Sequence, residues 1–481
     1  MTSQQSQPAS RKQAANPRVG KGTHRAERQR RSQASPARLA ALEACRRVRE
    51  RKAYAQEVIQ ATIDRSRLST EDRAFATLLV LGVTATWGTL DELIDRCLRS
   101  PKDVKPDVRD ALRISAYELV FLHKEPYAVA DQGVELVRAV APRAAGLGNA
   151  ALRSMVRAAS EFPFGDASRN LSAFARLQGF PQWLAEALCR DMGEQAAREL
   201  MQASNETAPL FVAENPLCAR EGEVSFELSR AKAQVDPVRT SNGSLPGCFR
   251  VTPARVLADG RIRHLIDTGK MLMSDASSQT VANLVFSDSQ PRSLLEIGAG
   301  RGTKTILLEA VSQRRWGSCV PEHVVVDNHA FKLELLQKRA RQYGITSLEA
   351  VAADATKLSR ALGDRRFEVV FIDAPCSGLG TLRRHPEIRW NVTPHHIEEL
   401  AATQLEMLRS AAAHVAAGGS LVYATCTVTR LENVGVVKRF LESAEGTDFA
   451  LAPIGGASCF APSLQSNSPD AHFAVRFQKN S

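Results

Sequence analysis

From residue 36 to about residue 157, apolar positions recur every three or four residues. Leu39, Leu42, Cys45 and Val48 form one such stripe, the spacing that places side chains on one helix face. Ser69-Thr70-Glu71-Asp72 has the pattern of a capping box, with Ser69 as N-cap. The Leu/Val-rich run 75–83 that follows predicts a central core helix. Pro106 suits the first turn of another helix, through Leu112, Ile114, Leu119 and Leu122, because its missing N–H would have no partner there. Residues 146–156 complete a helical bundle. Phe162-Pro163-Phe164-Gly165-Asp166 breaks the pattern as a linker. Residues 170–205 predict two further short helices, with Trp183 and Leu184 on the apolar face. From 208 to about 269 the chain reads as short strands and Gly/Pro/Ser turns. Beyond about 275, strands at 294–297, 323–327, 367–373 and 420–423 alternate with helices that start near Thr305 and Phe331. That alternation predicts a doubly wound parallel sheet.

The chain has 481 residues, too many for one core, so two to four domains are expected. Its net charge is +11, of which residues 1–31 carry +7 and the other 450 residues +4. That Arg-rich, apolar-poor segment predicts a disordered tail, equally suited to pairing with RNA phosphates or to solubility alone. No apolar run approaches the roughly 20 residues of a membrane span, and no apolar leader precedes the bundle, so a cytoplasmic protein without membrane contact is expected. Nine cysteines are scattered without a Cys-x-x-Cys pair, which argues against a zinc site or a disulfide framework. No heptad pattern or internal repeat is evident, and a monomer is the expectation.

Two of those cysteines follow predicted strands. Cys376 lies in Asp373-Ala374-Pro375-Cys376-Ser377-Gly378 and Cys426 in Ala424-Thr425-Cys426-Thr427. Both are expected at carboxyl strand ends, where open α/β sheets hold their ligands. Gly298-Ala299-Gly300-Arg301-Gly302-Thr303-Lys304 links a strand to a helix, and such a glycine loop lets backbone approach a ligand. Asp327 ends the next strand at a spacing suited to a ribose hydroxyl, and Asp354 ends another apolar run, placed to accept from an adenine amine. Singly, each aspartate is more often a helix N-cap after a strand. Together at successive strand ends they favour a nucleoside-bearing cofactor. The loop does not match the Gly-x-x-x-x-Gly-Lys-Ser/Thr spacing, and no phosphate-reading basic residue closely follows Asp327; S-adenosylmethionine fits better than ATP or NAD.

The paired cysteine motifs, with Arg383-Arg384-His385-Pro386-Glu387-Ile388-Arg389-Trp390 between them and Glu432-Asn433 after them, resemble RNA 5-methylcytosine methyltransferases of the RsmB/Sun/NSUN group. Leu112-Arg113-Ile114-Ser115-Ala116-Tyr117-Glu118-Leu119 and Gly148-Asn149-Ala150-Ala151-Leu152-Arg153 resemble a NusB-like RNA-binding domain. The chain departs from the family in its glycine loop, where Ala-Pro-Gly-Gly-Lys is usual, and at Phe211-Val212-Ala213-Glu214-Asn215, where an arginine is missing.

The resemblance implies a multidomain chain. A disordered basic tail (1–35) precedes an all-α NusB-like bundle (36–160), a helical linker with a small α+β RNA-binding subdomain (161–270) and a Rossmann-like methyltransferase domain (271–481). It implies Cys426 as nucleophile, Cys376 as the thiol that assists release and Asp373 as the group on the cytosine N3/N4 edge. S-adenosylmethionine would lie against residues 298–304, Asp327, Asp354 and Asp373, with no metal. Small-subunit (16S) ribosomal RNA, free or in an assembling subunit, is the implied substrate. Transfer RNA, large-subunit RNA or a catalytically inactive RNA-binding protein remain as alternatives. Arg383, Arg384, His385, Arg389 and Trp390 read either as phosphate and base contacts or as a loop that packs Trp390 inward.

Overall fold

The computed structural model describes residues 33–240 and 243–481. The expected basic tail lies almost wholly outside the described residues. Six helices form the N-terminal bundle: α1 (Pro36–Arg51), α2 (Ala55–Thr62), α3 (Thr70–Cys97), α4 (Pro106–Val120), α5 (Pro126–Val140) and α6 (Ala145–Ala159). The local signals act as read. Ser69 Oγ accepts from the Asp72 amide at 3.1 Å, and Pro106 occupies the first turn of α4. At 28 residues, α3 is long and apolar enough to cross a membrane, which the sequence reading had not foreseen. It sits instead in the bundle core, with Leu79, Val80, Val83, Leu90, Leu93 and Ile94 fully buried.

Residues 171–203 form three short helices where two were expected: α7 (Leu171–Gln178), α8 (Gln182–Met192) and α9 (Glu194–Ala203). Gly193, at φ 84°, ends α8 and starts α9, so the two read as one periodic stretch. These helices share one apolar core with Leu379, Leu382 and Val392 from the region after Cys376 and with Ile397 from the helix Pro394–Ala412 that follows.

Next comes a four-stranded antiparallel sheet in the order β2-β3-β1-β4, built from β1 (Leu210–Glu214), β2 (Gln234–Thr240), β3 (Gly243–Thr252) and β4 (Met271–Met273). The last unit is a seven-stranded sheet in the order β10-β11-β9-β8-β5-β6-β7. Its parallel strands are β5 (Ser293–Ile297), β6 (Glu322–Asp327), β7 (Glu349–Ala352), β8 (Phe367–Asp373) and β9 (Val415–Thr425). Two antiparallel strands, β10 (Phe449–Ala452) and β11 (Phe473–Lys479), close one edge. They follow the region of strand–helix alternation, which explains why that alternation alone did not reveal them.

Candidate active site

The chain runs from β5 outward to β6 and β7 on one side, then returns to β8 and β9 on the other. A crevice opens outside the carboxyl ends of strands at such a reversal. It is occupied here by a cleft of about 800 Å³. The loop after β5 forms its floor. Gly298 has φ 83°, and a Cβ there would collide with the Asp373 carbonyl at the end of β8. Glycine therefore lets two neighbouring strand ends close together. Gly300 N–H donates to Asp327 Oδ2 at 3.0 Å, tying the loop to the end of β6.

The thiols meet because β8 and β9 are adjacent parallel strands with Asp373 opposite Ala424. Cys376 Sγ lies 3.2 Å from Cys426 Sγ, and the Cys426 N–H donates to Cys376 Sγ at 3.2 Å. A buried carboxylate holds both loops. Glu432 accepts from the Ser377 N–H at 2.7 Å, the Ser377 hydroxyl at 2.6 Å and the Thr429 hydroxyl at 2.7 Å. Gln404 Nε2 donates to the Pro375 carbonyl at 2.8 Å and to Glu432 at 3.2 Å. Asn433 Oδ1 accepts from Thr425 Oγ1 at 2.7 Å, and its amide donates to the Thr427 carbonyl at 3.0 Å. The Glu-Asn pair is thus a clamp that ties the loop after β8 to the loop after β9 and so fixes the approach of the two sulfurs.

Charge is distributed unevenly between the sulfurs. The hydrogen bond from Cys376 lowers the pKa of Cys426, and nearby Lys304 adds to this against burial and Asp373. The same bond, together with burial, pushes Cys376 well above the ordinary thiol value. Cys426 is therefore the more readily ionised sulfur and Cys376 the retained S–H. Lys304 Nζ donates to Asp373 Oδ2 at 2.6 Å. Burial opposes the lysine charge, but Asp373 and the two thiols outweigh it and hold its pKa above the ordinary value.

Comparison with known proteins supplies the family. Residues 284–468 match the family described as 16S rRNA methyltransferase RsmB/F, and residues 35–157 match the NusB family. A ribosomal RNA small subunit methyltransferase B from Thermus thermophilus is 31% identical over 393 residues, 82% of this chain and 84% of that protein. A putative methyltransferase of Mycobacterium tuberculosis, Rv1407, is 31% identical over 431 residues, covering 86% and 88%. The chain belongs to the RsmB/F family of rRNA methyltransferases. Among solved structures, PH0851 superposes with a TM-score of 0.75 at 20% identity, over 93% of this chain and all 100% of that one. NSun6 from Pyrococcus horikoshii superposes with a TM-score of 0.52 at 17% identity, over 63% and 100%. Both likenesses show the shared fold.

S-adenosylmethionine is the cofactor of this methyltransferase family, and the cleft fits it. Gly298, Gly300, Thr303, Lys304, Asp327, Asp354 and Asp373, all expected on the cofactor side, line the cleft with Cys376 and Cys426. Three expected residues do not line it. Ala299 is buried with Val325, Leu333 and Leu336; Arg301 turns outward to Glu57 at 3.2 Å; Gly302 lies against Leu336. In a strand-to-helix turn the alternate residues point away from the ligand side, which a run of loop residues does not disclose. Asp354 Oδ1 caps a short helical turn by accepting from Thr356 N at 2.9 Å, and the residue also lines the cleft.

The RsmB/F cleft also contains residues that sequence reading missed. Phe211 and Met273 reach it from the small antiparallel sheet, and Met273 is half exposed. His472 lines it from just before β11, with Nε2 3.2 Å from Ser278 Oγ; burial and Lys304 push its pKa down to about 4, so the imidazole is neutral. Position 472 lies 46 residues beyond Cys426, and no local motif marks it.

The basic segment resolves toward packing. Arg383 is buried and donates to the Gln465, Ser468 and Pro469 carbonyls. Arg389 is fully buried and donates to the Gln178 carbonyl at 3.1 Å and to Asn205 Oδ1 at 3.0 Å. Trp390 Nε1 donates to the Ala85 carbonyl on α3 at 2.9 Å, and its ring fills the space beside Gly88. Only Arg384 of these faces the cleft, and it is braced by Asp470 at 2.8 Å and Asp275 at 2.9 Å. The expectation of phosphate contacts across this segment is therefore corrected for Arg383, Arg389 and Trp390: a planar five-donor guanidinium meets buried carbonyls as readily as phosphate.

Proposed function

We propose that this enzyme methylates carbon 5 of a cytosine in 16S ribosomal RNA through a transient covalent bond between Cys426 and the base. The observation that carries the reading is the 3.2 Å contact of two thiols at adjacent strand ends, with the lower pKa on Cys426. Cys426 as thiolate adds to cytosine carbon 6. The C5–C6 double bond opens, and its electrons make carbon 5 nucleophilic. Bound S-adenosylmethionine supplies an electrophilic methyl group to that carbon. Asp373, held by Lys304, is placed to hydrogen-bond the N3/N4 edge and stabilise the ring as charge develops. A base then takes the carbon 5 proton, that C–H electron pair re-forms the C5–C6 double bond, and the C–S pair leaves on Cys426 as thiolate. Cys376, the sulfur that keeps its proton, assists this release. The target base must leave its stack to reach Cys426, as an unpaired RNA loop permits.

In this reading residues 271–481 form the catalytic domain, while residues 36–160 and 161–270 recognise RNA. The protein acts as a cytoplasmic monomer, on free rRNA or an assembling subunit, with no membrane partner. Cys426→Ala is expected to abolish methyl transfer while RNA binding remains. Cys376→Ala is expected to accumulate an RNA–protein adduct that survives a denaturing gel. Methylation by the Cys426→Ala protein would overturn the assignment of the nucleophile. Bisulfite sequencing of ribosomal and transfer RNA from a strain lacking the protein tests the substrate; loss of a methylated cytosine from transfer RNA alone would replace 16S rRNA in this reading.

A further inference from the structure

The N-terminal bundle contacts the loops around the catalytic cleft through Tyr54, Glu57 and Ala85. Lys52, at φ 48°, ends α1 in the left-handed conformation, two residues before Tyr54. Tyr54 is 48% exposed, although it is a large aromatic at the start of α2. Its ring centroid lies 4.7 Å from that of His385 with the planes tilted by 53°. His385 follows Arg384, which lines the cleft. Two further contacts join the bundle to the loops around the cleft. Glu57 of α2 pairs with Arg301 of the glycine loop at 3.2 Å. Trp390, in the segment that carries His385, donates to the Ala85 carbonyl of α3. His385 Nδ1 lies 3.7 Å from Glu387, a buried carboxylate neither of whose oxygens has a hydrogen-bond partner. Burial first, then the negative charge of Glu387, raises the pKa of the Tyr54 hydroxyl, so the ring stays neutral.

We propose that Tyr54, backed by His385, is an aromatic wall of the substrate site on which a nucleobase of the RNA stacks as the target cytosine enters the cleft. The bundle then contributes directly to the reaction site as well as to RNA affinity. A half-exposed ring packed on His385, next in sequence to the cleft-lining Arg384, presents one π-face to an incoming base, and stacking suits any base because each has such a face. An exposed aromatic without this role would leave apolar surface in water at a cleft mouth that must admit a polar substrate. The inference rests on the reading of the enzyme as an RNA cytosine methyltransferase.

The test is a series at position 54 in the full-length protein, with a 16S rRNA transcript as substrate. Tyr54→Leu keeps apolar bulk against His385 but removes the π-face. It is expected to lower kcat/KM for RNA by about 5- to 150-fold, with the melting temperature and S-adenosylmethionine affinity unchanged. Tyr54→Phe is expected to restore the rate to within about threefold, since the ring carries the effect. Wild-type kcat/KM in Tyr54→Leu would overturn the proposal. So would a Phe variant as impaired as Leu, which would put the role in the hydroxyl, or a parallel fall in melting temperature and cofactor affinity, which would make Tyr54 a docking residue only. The Cys426→Ala experiment fails or succeeds independently of this series, because it reads bond formation to the base and not the wall that presents it.

Discussion

Residues 373–381 and 383–390 belong to one loop region, yet they meet different surroundings. The first stretch presents Asp373, Cys376 and Thr381 to the cleft. Most of the second turns inward, with Arg389 fully buried and Trp390 bonded to the helical bundle. Composition alone suggests the reverse. A run of arginine, histidine and tryptophan looks like a surface for RNA, and cysteines are ordinarily buried and inert. The difference lies in what each group finds nearby. Arg389 meets four acceptors from residues 178–205 and bonds them through both terminal nitrogens, away from solvent. The thiols find no apolar core to enter, because the Glu432 clamp holds their loops at the sheet edge.

The two stretches should therefore fail in different ways. The largest effect on folding is expected from Arg389→Met, which strands the carbonyls of Gln178, Gly179 and Ser204 and should cost about 2–4 kcal/mol. A urea midpoint measures it, and S-adenosylmethionine affinity of the folded fraction should be retained. A variant as stable as wild type but weak on RNA would return Arg389 to a phosphate-binding role. Next, Glu432→Gln keeps the shape of the clamp but loses its charge and one acceptor. A loss of about 1–3 kcal/mol is expected, together with slower formation of the Cys376→Ala adduct; unchanged adduct kinetics would show that the clamp supports folding alone.

The smallest effect is one of pH. Cys426 has its pKa lowered, so its thiolate persists at lower pH than an ordinary thiol allows and is lost as pH falls through that lowered value. Lys304→Met removes one of the groups that lower it and frees Asp373, which raises it. The acidic limb of the pH–rate profile should move to higher pH. Near neutrality the rate should fall about tenfold, the equivalent of one pKa unit, and largely recover in alkali. A limb that stays in place would remove Lys304 from the ionisation of Cys426, leaving it a role in holding Asp373.

Much of this architecture is written locally. Helix starts at Ser69 and Pro106, the parallel strands and the glycine loop depend on neighbours within a few residues, and pattern reveals them. The strands also determine that Cys376, Cys426 and Asp373 share one edge, since each follows an apolar run. The 3.2 Å approach of the sulfurs was not legible, because it depends on β8 and β9 being adjacent and on Glu432 reaching both loops. Nor was the inward turn of Arg383 and Arg389, whose partners lie 82 to 211 positions away in the chain, whereas inward packing of Trp390 was one of its two readings. His472 and Tyr54 reach the neighbourhood of the cleft from opposite ends of the sequence, with no motif to mark either. Side-chain chemistry and period are properties of the chain, whereas the direction a polar group faces depends on which distant acceptors folding brings within hydrogen-bond reach.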